Sequence, residues 1–267
     1  MQGKLIVIEG TDCSGKETQS KLLIEKLNKK KINVEYFGYP NYSSPTGKIV
    51  GLPFLGKSYL AHELLDDVKE EVKEKLTNVD SSTVDKVLYE TGESLSKGWF
   101  KEGAPNVDGK VASLYYAADR LYNNSYIMEK VYAGTSLILD RYVYSNMAHQ
   151  AGKYEEKTKR DEMYKWLENL EFKTLGLPTP DIKIFLHMPV PYINLLKAKR
   201  EEKLDENEKD ISYLYKAENS YLEVAKKYNF IVVECIKNSD SEVSLENIKS
   251  IEEINDEIFE KVMNLIK

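Results

Sequence analysis

The sequence is poor in cysteine and has no long apolar run. Two cysteines in 267 residues argue against a disulfide framework, and one of them, Cys13, lies in a glycine-rich turn. No segment approaches the roughly 18 apolar residues that a membrane-spanning helix needs. The first residues also lack the basic region, apolar core and small-residue cleavage site of a secretory signal. We therefore expect a cytoplasmic protein that neither crosses a membrane nor is secreted.

The chain also has no excess of basic residues. The chain has 38 Lys and Arg residues against 44 Asp and Glu residues, a formal net charge of −6, which offers no general attraction to nucleic acid or to an anionic membrane. A polyanionic ligand must therefore be bound by a local site. A length of 267 residues with 42% hydrophobic content is enough for a full core, and we expect residues 1–267 to form a single domain.

What the sequence does contain is a series of five short apolar runs separated by helical patterns. The runs cover residues 4–9, 33–37, 136–140, 182–187 and 230–234. Their spacing requires helical crossovers, which predicts a doubly wound α/β fold with a mostly parallel five-stranded sheet. Ligands of such sheets bind at the carboxyl ends of the strands. Gly10, Pro40 and Asp140 would all lie at that edge.

The first apolar run leads into a glycine-rich turn. Residues 4–18 read KLIVIEGTDCSGKET, in which Gly10 and Gly15 allow the backbone to curl around a phosphate group. A helical pattern begins near Lys16, so the positive end of a helix would face the same phosphate, and the lysine can reach a β- or γ-phosphate. The motif predicts a nucleotide phosphate site, and a purely structural glycine-rich turn is the alternative.

Two further patterns carry candidate chemistry. Asp140 and Arg141 end the third apolar run, where an acidic residue can reach a phosphate-bound Mg²⁺ and a guanidinium can bind a phosphate. Tyr116 and Arg120 lie four residues apart on a predicted helix and therefore share one face, suited to stacking on a nucleobase and bonding to its exocyclic oxygen. A buried ion pair and a core-edge aromatic residue are the respective alternatives.

Three segments flank these motifs. In residues 58–97, Leu64, Val68, Val72 and Leu76 recur at helical spacing among many charged residues, which predicts an amphipathic helix in a surface or dimer-contact insertion, with a regulatory role as the alternative. Residues 197–210 carry mixed charge and no apolar period, as expected of a solvated segment or of a lid over phosphates. Residues from 250 onward predict an amphipathic closing helix.

Taken together, these motifs resemble the bacterial thymidylate kinases, which are P-loop nucleoside monophosphate kinases. The resemblance is carried by the segments EGTDCSGKETQ, YPNYSSPTGKIV, GWFKEGAPNVDGKVASLYYAADRLYN and LILDRYVYSNMAHQAGK. It covers residues 4–57 and 98–152 well and leaves the 58–97 insertion outside. It implies a homodimeric kinase that transfers the γ-phosphate of ATP, with Mg²⁺, to dTMP.

The resemblance also implies roles for individual residues. ATP would be bound by Gly10, Thr11, Asp12, Cys13, Ser14, Gly15, Lys16, Glu17 and Thr18. The catalytic residues would be Lys16, Asp12, Asp140, Arg141 and, from the lid, Arg200, with Asp140 and Asp12 also supporting the metal. The dTMP site would contain Pro40, Tyr116, Arg120, Arg141, Tyr142, Asn146, His149 and Gln150. In that site Tyr116 would stack on thymine and Arg120 would read its O4 oxygen.

Three residues depart from the family pattern. Glu17 replaces the hydroxyl residue that usually binds Mg²⁺ after the lysine, so its charge must be turned away or offset. Tyr42 stands where some relatives carry an arginine that contacts the acceptor phosphate. His149 stands where an aromatic ring often crowds the 2′ position of the sugar, which would relax the discrimination against ribonucleotides; a helix residue with a satisfied side chain and no substrate contact is the alternative. A kinase for another nucleotide or nucleoside acceptor, or a nucleotide-binding protein without catalysis, remains an alternative.

Overall fold

The structure is a computed structural model that describes residues 2–97, 99–197 and 211–266. Its sheet has five strands: β1 (Leu5–Gly10), β2 (Val34–Gly38), β3 (Ser136–Asp140), β4 (Ile182–His187) and β5 (Ile231–Glu234). The strand order is β2-β3-β1-β4-β5, and every neighbouring pair is parallel. The predicted doubly wound α/β fold is confirmed, and each predicted strand is found within one residue of its expected bounds.

Ten α-helices are present in the described residues. They are α1 (Lys16–Lys29), α2 (Pro45–Ile49), α3 (Ser58–Lys75), α4 (Ser81–Leu95), α5 (Gly109–Tyr132), α6 (Val143–Ala151), α7 (Lys157–Glu168), α8 (Val190–Lys197), α9 (Ile211–Lys227) and α10 (Ile251–Ile266). Short π-helical turns follow α2 (Val50–Phe54) and α7 (Asn169–Thr174). The closing helix predicted near the C-terminus is α10, which buries Ile254, Ile258 and Val262. None of these helices is long and apolar enough to cross a membrane.

The central strands are covered on both faces, which is why their sequences are apolar without alternation. Ile6 and Ile8 of β1 point into a cluster that includes Leu23 of α1 and Ile258 of α10. Leu5 and Val7 of the same strand point into the opposite cluster, formed mainly with α5, α6 and α7. The sheet thus separates two apolar cores and holds its carboxyl edge in a fixed position between them.

The 58–97 insertion differs from the single amphipathic helix expected from its apolar spacing. It forms two helices, α3 and α4, that pack on each other and are joined by ion pairs from Lys69 and Lys73 to Asp85. Leu64 and Val68 are 41% and 40% exposed, because only one narrow side of each helix can face its neighbour in a two-helix hairpin. The hairpin therefore leaves apolar side chains at the surface.

Candidate functional site

The carboxyl edge of the sheet brings the predicted motifs together. β1 and β3 are adjacent, with Ile8 opposite Asp140, so the glycine-rich loop that follows β1 lies beside the Asp140-Arg141 pair that follows β3. β2 adjoins β3 on its other side, which adds the segment around Tyr39 and Pro40. The parallel topology, rather than proximity in sequence, gathers these residues into one cleft.

The loop between β1 and α1 has the backbone that a phosphate-binding loop requires. Gly15 has φ 76° and leads into α1, whose first residue is Lys16. At Gly10 a Cβ atom would lie 2.4 Å from Ser14 Oγ and 2.9 Å from the Leu186 carbonyl oxygen, so only glycine fits there. Cys13 also has a positive φ of 55°. The curled loop and the helix N-terminus together form a concave donor surface for an anion.

Lys16 is folded back onto this loop. Its Nζ donates hydrogen bonds to the carbonyl oxygens of Gly10 and Thr11 at 3.2 and 2.9 Å. Burial, followed by repulsion from Arg141, lowers the pKa of Lys16 to about 8. The lysine is therefore a largely desolvated cation whose charge is compensated by carbonyl dipoles and by nearby acidic groups, and an entering phosphate would stabilise that charge.

Arg141 and Asp12 face each other across the cleft. The Arg141 guanidinium donates to Asp12 Oδ1 at 3.3 Å and to the Tyr221 hydroxyl at 3.5 Å, and the residue itself has a positive φ of 66°. Burial disfavours the charged form of Asp12, but Arg141 and Lys16 outweigh it and lower its pKa to about 2. The site therefore keeps an ionised carboxylate between two cations.

Asp140 has one satisfied and one unsatisfied oxygen. The Tyr36 hydroxyl donates to its Oδ2 at 3.2 Å, whereas no group in the described ranges bonds to its Oδ1, which is buried. Burial raises the pKa of Asp140, against the opposing effect of Lys16 and Arg141. The residues described here include no cluster of three or more acidic, histidine or cysteine ligands. One or two carboxylates nevertheless suffice for Mg²⁺, which takes its other ligands from phosphates and water.

The charge of Glu17 is partly offset by a neighbouring lysine. Glu17 forms an exposed i,i+4 ion pair with Lys21 at 2.6 Å on α1, which offsets its charge. Burial raises the pKa of Asp140 and of Tyr36, and the Glu17 carboxylate is still close enough to both groups to add to that rise. Thr18, the next residue, is also exposed. Glu17 therefore does not supply the hydroxyl found directly after the lysine in other phosphate loops, and Asp140 and Asp12 stay the predicted metal-supporting residues.

Tyr116 lies at the edge of an aromatic cluster on the α5 side of the cleft. Its ring packs edge-on against Phe54 with centroids 5.7 Å apart, and Phe54 also contacts Phe100 and Tyr115. Ala104 and Val107 complete this cluster. The predicted stacking residue is thus part of an apolar wall, although its contact with a base stays a prediction.

Arg120 is held by a residue that the motif analysis did not consider. Its Nε and Nη2 donate to the two carboxylate oxygens of Glu171, the latter at 2.7 Å, and both side chains are almost completely buried. Nη1 lies 3.4 Å from the Tyr142 carbonyl oxygen. Asn146 Nδ2 donates to the same Glu171 at 3.0 Å. If Arg120 contacts thymine O4 as predicted, it must do so with a donor that its bidentate ion pair with Glu171 leaves unused.

The remaining predicted dTMP residues occupy two environments. His149 stacks on Tyr213, whose hydroxyl lies 3.2 Å from its Nδ1, and burial followed by Arg141 lowers the pKa of His149 to about 3. Asn146 Oδ1 and Gln150 Oε1 are buried one helical turn apart, and nothing in the described part of the chain donates to either. The Tyr142 ring instead lies in the core, where its hydroxyl donates to Pro178 O at 3.0 Å.

Pro40 and Arg200 complete the predicted set. Pro40 follows a cis peptide bond from Tyr39 and precedes Asn41, whose N–H donates to the buried Asp119 at 2.8 Å. Arg200 lies outside the described residues, as do residues 198–210 of the expected lid. Lys197, the first residue of that segment, ends α8.

Four buried residues of this region were not predicted as site residues. Glu9 accepts hydrogen bonds from the N–H groups of Tyr142 and Ser145 at 2.8 and 2.9 Å, which anchors the start of α6 to the phosphate loop. The others are Tyr221, Asp119 and Glu171. Two of these residues could have been found from the sequence: Glu9 is a lone acidic residue near the end of an apolar strand, and Asp119 lies inside the Ala-Ala-Asp-Arg motif. Glu171 and Tyr221 are distant in sequence from every motif and carry no such signal.

Comparisons with known proteins agree with this geometry. The sequence profile described as "Thymidylate kinase" matches residues 51–248, which is well over half of the chain. The chain belongs to the thymidylate kinase family. The protein is accordingly a nucleotide-binding transferase of the kinase class.

Individual relatives extend this result over the whole chain. It is 25% identical to the thymidylate kinase of Schizosaccharomyces pombe, over 99% of this chain and 93% of that protein. It is 28% identical to a probable thymidylate kinase of Methanocaldococcus jannaschii, over 97% of this chain and 96% of that protein. The solved thymidylate kinase of Candida albicans superposes with a TM-score of 0.62 at 21% identity, covering 98% of this chain and 92% of the other. That superposition supports the fold.

Proposed function

We propose that this protein transfers the γ-phosphoryl group of ATP to the phosphate of dTMP, with ADP and dTDP as products. Family membership supplies the reaction. The observation that carries the assignment to this cleft is the arrangement of Lys16, Arg141 and Asp140 around the curled loop after β1. Two cations and a helix N-terminus converge there, as the transfer of a highly charged group requires.

The ATP phosphates bind in the loop formed by residues 10–18. Its backbone N–H groups and the N-terminus of α1 supply fixed donors, while Lys16 exchanges its carbonyl partners for phosphate oxygens. Mg²⁺ would be held by Asp140, through the buried Oδ1 that lacks a partner among the described residues, with Asp12 nearby. When bound, it would neutralise charge on the ATP phosphates.

Catalysis in this cleft rests on position and charge. Phosphoryl transfer needs little covalent chemistry from the protein, because the transition state is loose and its charge lies on the peripheral oxygens. Arg141 holds the acceptor phosphate of dTMP so that one of its oxygens attacks in line. Lys16 and Arg141 stabilise the transferred charge in a partly desolvated site, where electrostatic interactions are stronger than in water. Arg200 is proposed as a further cation from the lid segment.

The thymine base binds between the aromatic wall and α6. Tyr116 of the aromatic wall stacks on the base. The buried oxygen atoms Asn146 Oδ1 and Gln150 Oε1 accept no hydrogen bond from the described residues, and the N3–H group of thymine can donate to one of them. A buried acceptor without a partner costs about 1–3 kcal/mol. Filling it would therefore favour a base with an N–H at that edge over cytosine, which presents an unprotonated N3.

The reaction is tested by measuring ADP release with Mg·ATP and a panel of acceptors: dTMP, dUMP, UMP, dCMP, AMP and thymidine. We expect the highest kcat/KM for dTMP, and the Lys16→Ala variant serves as the blank. Comparable turnover of UMP would contradict strict deoxyribose selection and implicate His149. No turnover of any acceptor would contradict the kinase assignment and favour a nucleotide-binding protein without catalysis.

We also propose that two copies associate through α5. Leu114, Leu121 and Tyr122 are 52%, 44% and 56% exposed and recur at seven- and eight-residue spacing, so they form one apolar stripe on this helix. Light scattering coupled to gel filtration should give twice the chain mass, and Leu121→Glu should reduce it to one chain. Leu265→Glu on α10 is the matched control, because Leu265 is 55% exposed and lies outside both the stripe and the 58–97 insertion.

The expected compartment and domain organisation complete the proposal. Cys13 and Cys235 are not joined in a disulfide, which supports the reducing cytoplasm as the location. We propose that residues 1–267 form one P-loop kinase domain, with residues 58–97 as a helical insertion. No role in catalysis is assigned to that insertion.

A further inference from the structure

The phosphate loop of this protein has Glu17 in place of the hydroxyl residue that normally helps to bind Mg²⁺. Glu17 pairs with Lys21 on the exposed part of α1, its negative charge still acts on Asp140 and Tyr36, and Thr18 is exposed on the same helix. The divalent cation of Mg·ATP therefore depends more heavily on the acidic groups across the cleft. The residue that orients Asp140 is therefore more important for metal binding in this protein than in one whose phosphate loop has the hydroxyl.

Tyr36 is the residue that orients Asp140. It lies on β2, next to β3, and its hydroxyl donates to Asp140 Oδ2 at 3.2 Å. This contact fixes one carboxylate oxygen and leaves Oδ1 without a partner in the described structure. Lys16 and Arg141 both attract the Asp140 carboxylate. Without the hydrogen bond from Tyr36, that carboxylate could turn toward either of these cations instead of toward the metal.

The local backbone is shaped for this contact. Gly38 is two residues after Tyr36 on the same strand, and it is aligned with Asp140 across the sheet. A Cβ atom at Gly38 would lie 2.7 Å from the Tyr36 hydroxyl oxygen and 3.2 Å from the carbon that bears it. The absence of a side chain at Gly38 is therefore what allows the tyrosine to extend along its own strand to the end of β3.

We propose that Tyr36 is a positioning residue for the divalent cation: by holding Asp140 Oδ2, it presents Oδ1 to the cation of the bound nucleotide, directly or through a water molecule. The inference rests on the proposed function for the identity of the nucleotide. Hydrogen-bond partners of metal-binding carboxylates typically contribute about 10–100-fold to metal affinity. Tyr36 does not itself contact the substrates in this proposal.

The test removes the hydroxyl and measures metal binding without turnover. Free Mn²⁺ is titrated by electron paramagnetic resonance into the protein saturated with ADP, for the wild type, Tyr36→Phe and the control Tyr132→Phe, which alters an exposed tyrosine at the end of α5. We expect Tyr36→Phe to weaken Mn²⁺ binding by about tenfold. ADP binding in the absence of metal should remain unchanged, the thermal midpoint should fall by only a few degrees because Asp140 Oδ2 loses its donor, and Tyr132→Phe should match the wild type throughout.

A second variant tests the role of the glycine. Gly38→Ala places a methyl group against the Tyr36 hydroxyl and should weaken Mn²⁺ binding to a similar degree. The double variant Gly38→Ala with Tyr36→Phe should be no weaker than the weaker single variant, because both changes break one contact. Additive losses in the double variant would overturn the proposed link between the two residues.

Activity measurements separate this inference from the proposed reaction. In an active wild type, Tyr36→Phe should raise the Mg²⁺ concentration that gives half-maximal rate and leave the rate at saturating Mg²⁺ within about twofold. Unchanged Mn²⁺ affinity in Tyr36→Phe overturns the positioning role even if dTMP is phosphorylated. A tenfold loss of Mn²⁺ affinity in a protein that phosphorylates no acceptor supports the positioning role and refutes the proposed reaction.

Discussion

Arg120 is buried and Arg141 is partly buried; both are predicted to contact dTMP, but the structure surrounds them differently. Arg141 contacts Asp12 and the Tyr221 hydroxyl at 3.3 and 3.5 Å, distances at which hydrogen bonds are weak. Arg120 is bound bidentately by Glu171. One guanidinium retains most of its donor capacity for a ligand, whereas the other has committed two nitrogens to the protein.

The difference follows from where each arginine lies. Arg141 ends a strand at the open edge of the sheet, and its left-handed backbone turns the chain into α6. Arg120 lies in the middle of α5, where a buried charge needs a counterion and is costly without one. The comparison indicates that an arginine at a strand end is available for substrate charge, and that an arginine within a packed helix first stabilises the wall of the pocket.

The largest expected effect is on catalysis at Arg141. Arg141→Ala should lower kcat/KM by at least about a thousandfold, because an arginine that stabilises a transferred phosphoryl group contributes about 10³–10⁵ to the rate. The free energy of unfolding should fall by less than in a variant that breaks the Arg120–Glu171 pair, since the protein contacts of Arg141 are long and Lys16 also compensates the charge of Asp12. Steady-state kinetics and urea unfolding measure the two effects. A loss of stability without a loss of rate would place Arg141 in the same class as Arg120.

On the other side of the comparison, Glu171→Ala should reduce the free energy of unfolding by about 3–5 kcal/mol, because it leaves the Arg120 charge buried and unpaired. Glu223→Ala is the matched control. It breaks a second bidentate pair, with Arg160, whose members are 18% and 30% exposed, and pairs near the surface contribute about 1 kcal/mol or less. Equal losses in the two variants, measured by urea unfolding, would refute the contrast.

Arg120→Lys sharpens the comparison by keeping the charge and removing the bidentate geometry. If Arg120 also reads thymine O4, the KM for dTMP should rise about tenfold while kcat stays within about twofold, a change equivalent to one hydrogen bond to a charged donor. Steady-state kinetics with dTMP as the varied substrate measures this. An unchanged KM with lowered stability would show that Arg120 supports the pocket wall without contacting the base.

The smallest predicted effect concerns the charge of Lys16, which is influenced by Arg141. Since its pKa is lowered to about 8, Lys16 is cationic at pH 7 and loses its proton as the pH rises above 8. The kcat/KM for ATP, which reports the free enzyme, should therefore fall about threefold between pH 7.5 and about 8.5. Lys16→Arg should lack this alkaline decline at a lower overall rate, because arginine stays protonated. The same decline in Lys16→Arg would assign it to another group.

The extent to which the sequence predicts this molecule differs between its parts. The five strands and the phosphate loop follow from local patterns, because an apolar run flanked by turns and a G-x-x-x-x-G-K sequence each depend on neighbouring residues. The two-helix form of the 58–97 insertion was not predicted. Its apolar residues recur at helical spacing on both sides of a break near residue 76, and periodicity alone does not show which of them find a partner.

The side-chain partners of the site were the least predictable part. Glu171 is 51 residues from Arg120, and Tyr36 is 104 residues from Asp140. No local pattern connects such pairs, because their contact depends on strand order and on a turn after α7. The sequence analysis likewise did not predict that Lys21 would form an ion pair with Glu17 on α1.

By itself, the sequence determined the fold class, the phosphate loop and the family, since these depend on short-range periodicity and on motifs of adjacent residues. Only the tertiary structure decided which polar groups pair with one another: Arg141 with Asp12, Arg120 with Glu171, and Asp140 with Tyr36. The physical reason is that burial makes an unpaired charge or polar group costly. Its partner is therefore whichever group the packing of distant segments brings within reach.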